Sequence, residues 1–347
     1  MMSFRGGWLA ALALPPTPIW LLGDIAESKG RQALYAKQAP EALAALRQSA
    51  LIQSVESSNR IEGVTVPFER LQPLVFGHAR PRDRSEEEIQ GYRKALELIH
   101  EDAGRLPVAP KALQRLHALC QGGAGDAGRW KRVDNDIVEM RPGKPPLIRF
   151  RAVSADKTAL AVNELCAGYA HTLEQEHIHP LVATAAVVLD FTCIHPFRDG
   201  NGRVSRLLTL LSLYHHGIEV GRFVSLERLI EENREDYYRA LLESSQGWHE
   251  GRHDLVPWLN FFLSTLRRAY RELEEREEAL KNAPGSKTKL IEAAVAAFPG
   301  SFTFRELRAA CPTASAELVR KVLHGLRIAG RVRALGRGPG ARWTRDE

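Results

Sequence analysis

Apolar residues recur at helical spacing through most of the chain. In the segment 41–56, leucine, isoleucine and valine return every three or four residues, which is typical of an amphipathic helix. The same pattern occupies residues 85–100, 106–119, 158–172 and 255–280. Residues 181–194 are apolar nearly all round, which predicts a helix buried in the core. The pattern therefore predicts a mainly α fold.

Residues 130–151 interrupt this helical pattern. Two short runs rich in β-prone residues flank the turn sequence Arg141-Pro142-Gly143. Such runs around a Pro-Gly turn predict a β-hairpin. Because a single hairpin in a helical protein is an unusual core element, we interpret it as either a surface excursion or a functional flap.

The C-terminal part has its own pattern after a linker-like stretch at 282–286. Helix-like segments at 287–298, 303–310 and 315–329 precede two β-like runs at 332–335 and 342–344. Three helices followed by a two-stranded ribbon predict a winged helix-turn-helix domain over residues 286–345. Its recognition helix would be 315–329, which carries Arg320, Lys321 and Arg327.

Charge is distributed unevenly between these parts. The formal net charge is +6, yet residues 285–347 hold 12 Lys and Arg against 5 Asp and Glu. A basic C-terminal domain favours an acidic partner, either DNA or protein. The four cysteines form no CxxC pair, and the apolar run at 8–14 is too short for a signal peptide. We therefore expect reduced thiols, a cytoplasmic location and no membrane contact.

Residues 195–206 read His-Pro-Phe-Arg-Asp-Gly-Asn-Gly-Arg-Val-Ser-Arg and follow the buried helix. Pro196 discourages continuation of that helix, and a new apolar helical face begins at Val204. Gly200 and Gly202 allow the backbone to approach a ligand closely. The free N–H groups at the start of the second helix form an anion site.

The charged side chains of this segment suit a polyphosphate. Arg203 and Arg206 lie three residues apart and therefore share one side of the second helix. Two guanidinium groups above a helix N-terminus bind phosphates well. Asp199 suits a Mg²⁺ ion that bridges the phosphates, and His195 can take a proton near neutral pH.

At every defined position this segment resembles the signature of the Fic family, His-x-Phe-x-Asp-Gly-Asn-Gly-Arg-x-x-Arg. The resemblance implies a Fic-type helical core and an enzyme that moves AMP from ATP to a protein hydroxyl. His195 would be the general base for that hydroxyl. Phe197 would anchor the loop in the core, and Asp199 would bind Mg²⁺.

The remaining motif residues would hold the nucleotide, according to the same resemblance. Gly200, Asn201 and Gly202 would bind the phosphates through backbone and amide donors. Arg203 would stabilise charge at the transferring phosphates, and Arg206 would bind the γ-phosphate. Members that transfer other groups, such as the Doc-type kinases, tend to depart from Gly-Asn-Gly-Arg, which is intact here.

A second motif lies at the end of the N-terminal helical region. Ser58 and Glu62 are four residues apart on one helical face, and Gly63 follows as a helix terminator. By itself this is also the pattern of an ordinary helix end. Beside the complete active-site motif it is similar to the inhibitory helix of Fic proteins, which implies that Glu62 pairs with Arg206 and takes the γ-phosphate position.

The resemblance also assigns roles to the hairpin and to a pair of tyrosines. The hairpin at 130–151 stands where Fic proteins have a flap that binds the target segment as an added strand. Of Tyr237 and Tyr238, the second would line the adenine site, although a core tyrosine is the alternative. Ser245 stands where some relatives have an Asn that contacts the nucleotide.

Three regions follow from these patterns. They are a helical region at 1–105 with the inhibitory helix at about 45–63, a catalytic core at 106–282, and the winged helix at 286–345. The predicted function is a self-inhibited protein adenylyltransferase that uses Mg²⁺ and ATP and acts on Tyr, Thr or Ser of a protein, either another protein or itself. The alternative is a DNA-binding regulator with the Fic domain as nucleotide sensor. The reverse reaction, another nucleotide donor and a homodimer remain open.

Overall fold

The computed structural model describes residues 2–35, 40–141, 144–175, 178–282, 286–298, 301–311, 314–336, 338 and 341–345. The helices are α1 (Pro16–Tyr35), α2 (Pro40–Ile61), α3 (Phe68–Val75), α4 (Arg84–Asp102), α5 (Pro110–Gln121), α6 (Ala155–Gln175), α7 (Pro180–Ile194), α8 (Asn201–His215), α9 (Leu226–Glu232), α10 (Arg234–Ser245), α11 (Val256–Asn282), α12 (Ser286–Ala297), α13 (Phe304–Ala310) and α14 (Ala316–Ile328). The strands are β1 (Ile137–Arg141), β2 (Lys144–Phe150), β3 (Phe302–Thr303), β4 (Val332–Leu335) and β5 (Arg342–Arg345).

The prediction of a mainly α fold is confirmed. Each segment with apolar residues at helical spacing forms a helix whose ends lie within a few residues of the predicted ones. α1 lacked that signal, because it contains Gly23 and Gly30 and buries little beyond Leu21 and Ile25. Glycine inside a helix lowers the helix propensity of the segment, so the sequence pattern did not predict α1.

The chain divides into two compact units, the first ending at Leu273 and the second beginning at Glu274. In the first unit, α7 lies in the centre of the core, and nearly all of its residues are buried. Pro180 at its first turn suits a helix start, as its missing N–H would be unpaired there anyway. One hydrophobic cluster includes residues from the predicted N-terminal region and from the predicted core, so the two regions fold together.

The predicted hairpin is present as an antiparallel pair. β1 and β2 pair Val138 with Ile148 and Glu139 with Leu147. Residues 142 and 143, the Pro-Gly of the expected turn, lie outside the described residues. The side chains of Val138, Leu147 and Ile148 are between 43% and 48% exposed, so this hairpin presents apolar groups to solvent.

The second unit has its own small core, which contains Ile291, Phe302 and Leu323. α12, β3, α13, α14, β4 and β5 follow one another in that order. The three strands form an antiparallel sheet in the order β3-β5-β4. Thr303 begins α13 with a capping box, in which its hydroxyl accepts from the Glu306 N–H and the Glu306 carboxylate accepts from the Thr303 N–H.

The cysteines Cys120, Cys166, Cys193 and Cys311 are buried and unpaired. Burial raises the pKa of the Cys120 and Cys166 thiols to about 12, so both are protonated at neutral pH. These thiols therefore serve as small apolar core groups. None of the described helices is both long and apolar enough to cross a lipid bilayer.

Candidate active site

The candidate site is built on the connection between α7 and α8. α7 ends at Ile194, and His195 follows in the left-handed conformation with a φ of 50°. Its N–H donates to the Phe191 carbonyl at 3.0 Å and so closes the helix. Among the described residues other than glycine, His195 alone has a positive φ. This strained backbone turns the imidazole out of the helix and needs support from its surroundings.

The loop is closed by a pair of hydrogen bonds between Phe197 and Asn201. The Phe197 N–H donates to Asn201 Oδ1 at 2.9 Å, and Asn201 Nδ2 donates to the Phe197 carbonyl at 2.7 Å. Both polar atoms of the Asn201 side chain are therefore engaged by the loop itself. The Asn201 side chain therefore shapes the loop that precedes α8, and the contact of this amide with phosphates stays a prediction.

Phe197 lies in an aromatic cage beneath the loop. Its ring stacks on His117 with centroids 3.8 Å apart, and Trp130 and Phe191 pack around it. His117 Nδ1 accepts from the Gly128 N–H, so His117 Nε2 carries the proton and donates to the Asp199 carbonyl at 3.0 Å. Burial lowers the pKa of His117, which keeps this neutral form.

Replacing Phe197 with Ala should destabilise the protein strongly. The side chain is 0% exposed, and removal of a buried Phe typically costs about 3–5 kcal/mol. Denaturant unfolding of Phe197→Ala and of Leu160→Ala, whose side chain is 62% exposed, gives a matched comparison. Equal free energies of unfolding for the two variants would contradict the role of Phe197 as the loop anchor.

A clip from the segment before the hairpin holds the loop on both sides of His195. The Lys131 N–H donates to the Pro196 carbonyl at 2.9 Å, and Lys131 Nζ donates to the Ile194 carbonyl at 3.3 Å. Asn135 accepts from Lys131 Nζ at 2.8 Å and donates to the Phe197 carbonyl at 2.9 Å. Sequence reasoning missed both residues, since no motif marks contacts between positions about sixty residues apart.

His195 is neutral in this environment. Burial, together with a smaller contribution from the nearby Lys131, lowers its pKa to about 4. At neutral pH the imidazole is therefore in its basic form and can accept a proton. The structure places His195 at the start of the α7–α8 loop, between the Ile194 and Pro196 carbonyls that Lys131 contacts.

Two buried arginines stand at the start of α8. Arg203 is 1% exposed and Arg206 is 3% exposed. Arg203 Nε and Arg206 Nη1 are buried N–H groups that have no hydrogen-bond acceptor among the described residues. Buried donors are normally satisfied, so these two are suited to an anion that enters beside them.

Arg206 is held by the end of α2. Its Nε donates to the Ser58 hydroxyl at 2.8 Å, and its Nη2 donates to the Ser58 carbonyl at 2.8 Å and to Glu62 Oε1 at 2.8 Å. Glu62 also lies over the turn, because a Cβ added at Gly202 would approach Glu62 Oε1 to 2.2 Å. The Glu62 carboxylate therefore fills space above the helix N-terminus.

Arg203 is held by a residue that the sequence did not single out. Its Nη1 donates to Glu88 Oε2 on α4 at 2.7 Å, and both side chains are at most 5% exposed. Arg84 donates to the other Glu88 oxygen at 2.9 Å. No local pattern distinguishes Glu88 from Glu86 and Glu87 beside it, so only the fold reveals this pair.

Asp199 is the accessible carboxylate of the turn. Its side chain is 58% exposed, and Oδ1 accepts from the Gly200 N–H at 2.7 Å. Oδ2 lies 3.4 Å from Gln121 Nε2 and 3.7 Å from Arg203 Nη2. Gly200 has a φ of 77°, and a Cβ there would approach Gln121 Nε2 to 2.7 Å, so only glycine fits this turn.

Tyr237 and Tyr238 are adjacent on α10, so their side chains point in different directions and differ in burial. Tyr237 is 4% exposed and packs against Trp258. Tyr238 is 39% exposed, and the Arg234 guanidinium lies 5.6 Å from its ring centroid. Tyr238 is thus the member of the pair with a solvent-accessible ring. The Ser245 hydroxyl donates to the Leu242 carbonyl of its own helix.

Part of the chain that includes this site is similar to known proteins. Residues 107–213 match the family model described as Fic/DOC family. The chain is 24% identical over 229 residues to the protein adenylyltransferase Fic of Nematostella vectensis, a match that covers 62% of this chain and 46% of that protein. The chain thus spans less than half the length of that curated relative.

Solved structures share the fold. A Fic family protein from Desulfovibrio desulfuricans G20 superposes with a TM-score of 0.64 at 24% identity, covering 96% of this chain and 97% of that one. A Fic domain containing signalling protein from Bacteroides thetaiotaomicron VPI-5482 gives a TM-score of 0.59 at 18% identity, covering 76% and 98%. The chain therefore carries a Fic/DOC family domain over residues 107–213, within a mainly helical fold that Fic proteins of known structure share.

Proposed function

We propose that this protein is an adenylyltransferase that moves AMP from ATP to a Tyr, Thr or Ser hydroxyl of a protein and releases pyrophosphate. The observation that carries the proposal is the pair of buried guanidinium groups, Arg203 and Arg206, each with an unpartnered N–H beside the N-terminus of α8. This arrangement suits a polyphosphate. The name of the Nematostella relative supports AMP transfer as the reaction.

His195 would act as the general base of this reaction. Its neutral imidazole accepts the proton of the target hydroxyl, whose oxygen then forms a bond to the α-phosphorus. The bond between the α-phosphorus and the bridging oxygen breaks, and pyrophosphate leaves. Arg203, Arg206 and the N–H groups of α8 stabilise the negative charge on the phosphates.

Asp199 would hold a magnesium ion. Among the described residues, no group of three or more His, Cys, Asp and Glu side chains could hold a metal on its own. Magnesium at nucleotide sites needs only one or two carboxylates, together with phosphate oxygens and water. The exposed Asp199 carboxylate beside the arginines fits that requirement. The ion would neutralise charge on the ATP phosphates.

The hairpin would bind the target segment. Its exposed Val138, Leu147 and Ile148 side chains offer apolar contacts to an extended peptide, and an added strand gains main-chain hydrogen bonds. The clip formed by Lys131 and Asn135 directly precedes β1 and contacts the loop around His195. A target on the hairpin would therefore lie close to the base.

Glu62 would act as a built-in brake. Its carboxylate pairs with Arg206 at 2.8 Å and thus takes up a cation that a γ-phosphate would need. A negative charge at this point also repels the phosphate. ATP would then bind weakly or in an unproductive position until Glu62 moves away.

Labelled ATP tests the proposed reaction directly. With α-³²P-ATP and Mg²⁺, adding the enzyme should increase the label on protein in a heat-treated lysate supplied as acceptor, and with γ-³²P-ATP it should not. Transfer of the γ-label would indicate a kinase. Labelling from neither nucleotide by a Glu62→Gly variant would contradict the proposed activity.

A DNA-binding regulator is the second candidate, and the second unit supports it. The order of its elements and the sheet order β3-β5-β4 support the proposed winged-helix arrangement. α14 exposes Arg320, Lys321 and His324 on the face opposite its buried valine and leucine residues. A basic exposed helix of this kind suits a DNA groove.

This candidate predicts salt-dependent binding of duplex DNA by the full chain. Arg320→Ala/Lys321→Ala should weaken binding and reduce the slope of log K against log salt by about two, since each lost phosphate contact reduces it by about one. The control is Arg305→Ala/Arg308→Ala, which removes the same charge from exposed positions on α13. If the full chain binds no DNA at low salt, or both variants bind alike, this candidate fails.

A further inference from the structure

Glu88 is a buried carboxylate whose two oxygens are held by two different arginines. Oε2 accepts from Arg203 Nη1 at 2.7 Å, and Oε1 accepts from Arg84 Nε at 2.9 Å. The Glu88 side chain is 5% exposed and that of Arg203 is 1% exposed. A charged pair this deep is retained at a cost in desolvation, which suggests a task beyond stability.

Glu88 differs from Glu62 in how firmly it is held. Glu62 directly follows the last residue of α2 and is 29% exposed, so it can leave Arg206 without disturbing a core. Glu88 lies in the second turn of α4, whose start is capped by the Asp83 side chain. The Glu88–Arg203 pair is therefore a fixed contact, whereas the Glu62–Arg206 pair can open.

The fixed contact determines which way Arg203 points. With Nη1 on Glu88, Arg203 Nε remains without an acceptor among the described residues, and Nη2 lies 3.7 Å from Asp199 Oδ2. A guanidinium held in one orientation loses less entropy when it binds a phosphate. Without Glu88, the nearest carboxylate for Arg203 would be Asp199, and a tight pair there would occupy the group that suits magnesium.

We propose that Glu88 is a positioning residue for AMP transfer, and that it acts by holding Arg203 towards the nucleotide phosphates and off Asp199. This inference rests on the proposed function. It assigns opposite roles to Glu62 and Glu88, the two carboxylates that accept hydrogen bonds from the motif arginines. Glu62 suppresses transfer, and Glu88 supports it.

The test measures transfer from α-³²P-ATP to lysate protein in a Glu62→Gly background. Adding Glu88→Gln should lower kcat about ten- to a hundred-fold, while KM for ATP changes less than about threefold, because a preorganised donor acts mainly in the transition state. Adding Glu87→Gln instead, which changes the exposed neighbour of Glu88, should leave both parameters near the parent values.

A double-mutant cycle separates positioning from loss of structure. Arg203→Gln combined with Glu88→Gln removes both charges, so no charge stays buried alone, and circular dichroism checks that this variant folds. If Glu88 acts through Arg203, adding Glu88→Gln to Arg203→Gln lowers transfer no further. Additive losses, or a Glu88→Gln variant as fast as or faster than its parent, would overturn the inference. If Glu62→Gly itself transfers no AMP, the proposed function fails and this inference falls with it.

Discussion

Replacing Glu62 with Gly should raise AMP transfer about ten- to a hundred-fold. Hydrogen bonds to charged groups contribute about 1.5–3 kcal/mol, and ATP must displace the one between Glu62 and Arg206 to reach that cation. Arg206 keeps its two contacts to Ser58 in the variant, so its buried charge is not left without partners. Initial rates of labelling from α-³²P-ATP provide the measurement.

Glu56→Gly is the matched control for this prediction. It places the same substitution inside α2, shortly before Glu62, where Glu56 pairs with Arg60 instead of Arg206. Glycine inside a helix lowers its stability, so this variant loosens α2 but leaves the contact between Glu62 and Arg206 intact. If both variants gained activity equally, flexibility of α2 would explain the effect, and the assigned role of Glu62 would be wrong.

Replacing His195 with Asn in the Glu62→Gly background should lower transfer by about 10²- to 10⁴-fold, the range that general-base catalysis typically contributes. Asn is chosen because it tolerates the left-handed backbone at a φ of 50° and cannot accept the proton. The affinity for Mg-ATP, measured by calorimetry, should stay near that of the parent, as Arg203 and Arg206 are untouched.

His171→Ala serves as the control, because His171 is an exposed histidine on α6, away from the α7–α8 loop. It should transfer AMP at the parent rate. A His195→Asn variant that binds Mg-ATP and also transfers AMP at the parent rate would show that another group takes the proton.

The parts of the site that are continuous in sequence could be predicted. Residues 195–206 form one loop and one helix turn, so spacing alone placed Arg203 and Arg206 on one side of α8. The unbroken apolar run at 181–194 predicted the buried helix α7 before the loop. Local pattern and final structure agree here, because the packing of α7 and α8 follows from their own hydrophobic faces.

The parts that depend on distant contacts could not be predicted. Glu88 lies 115 residues from Arg203, and the clip from Lys131 joins positions 63 residues apart. In the sequence, neither Glu88 nor Lys131 differs from many other polar residues, and their contacts form only when the helices pack. The use of the Asn201 amide to close the loop was likewise hidden, since a motif names residue types but not the rotamers that hydrogen bonding selects.

Tyr237 and Tyr238 show an intermediate case. Helical spacing dictated that only one of the two could face a given pocket, and the structure buries Tyr237 while leaving Tyr238 accessible. Tyr237 is the buried one because Trp258 and Phe261 of α11 pack against it. Helical spacing thus limits each pocket to one of the two tyrosines, and tertiary packing determines that Tyr237 is the buried one.

Peptide mass spectrometry after incubation with Mg-ATP and lysate protein tests the central claim most directly. The comparison is between the parent chain, Glu62→Gly, and Glu62→Gly/His195→Asn. The account predicts an adenylyl group on Tyr, Thr or Ser side chains that is strongest with Glu62→Gly and absent with the double variant. No adduct with Glu62→Gly, or an equal adduct with the double variant, would contradict it.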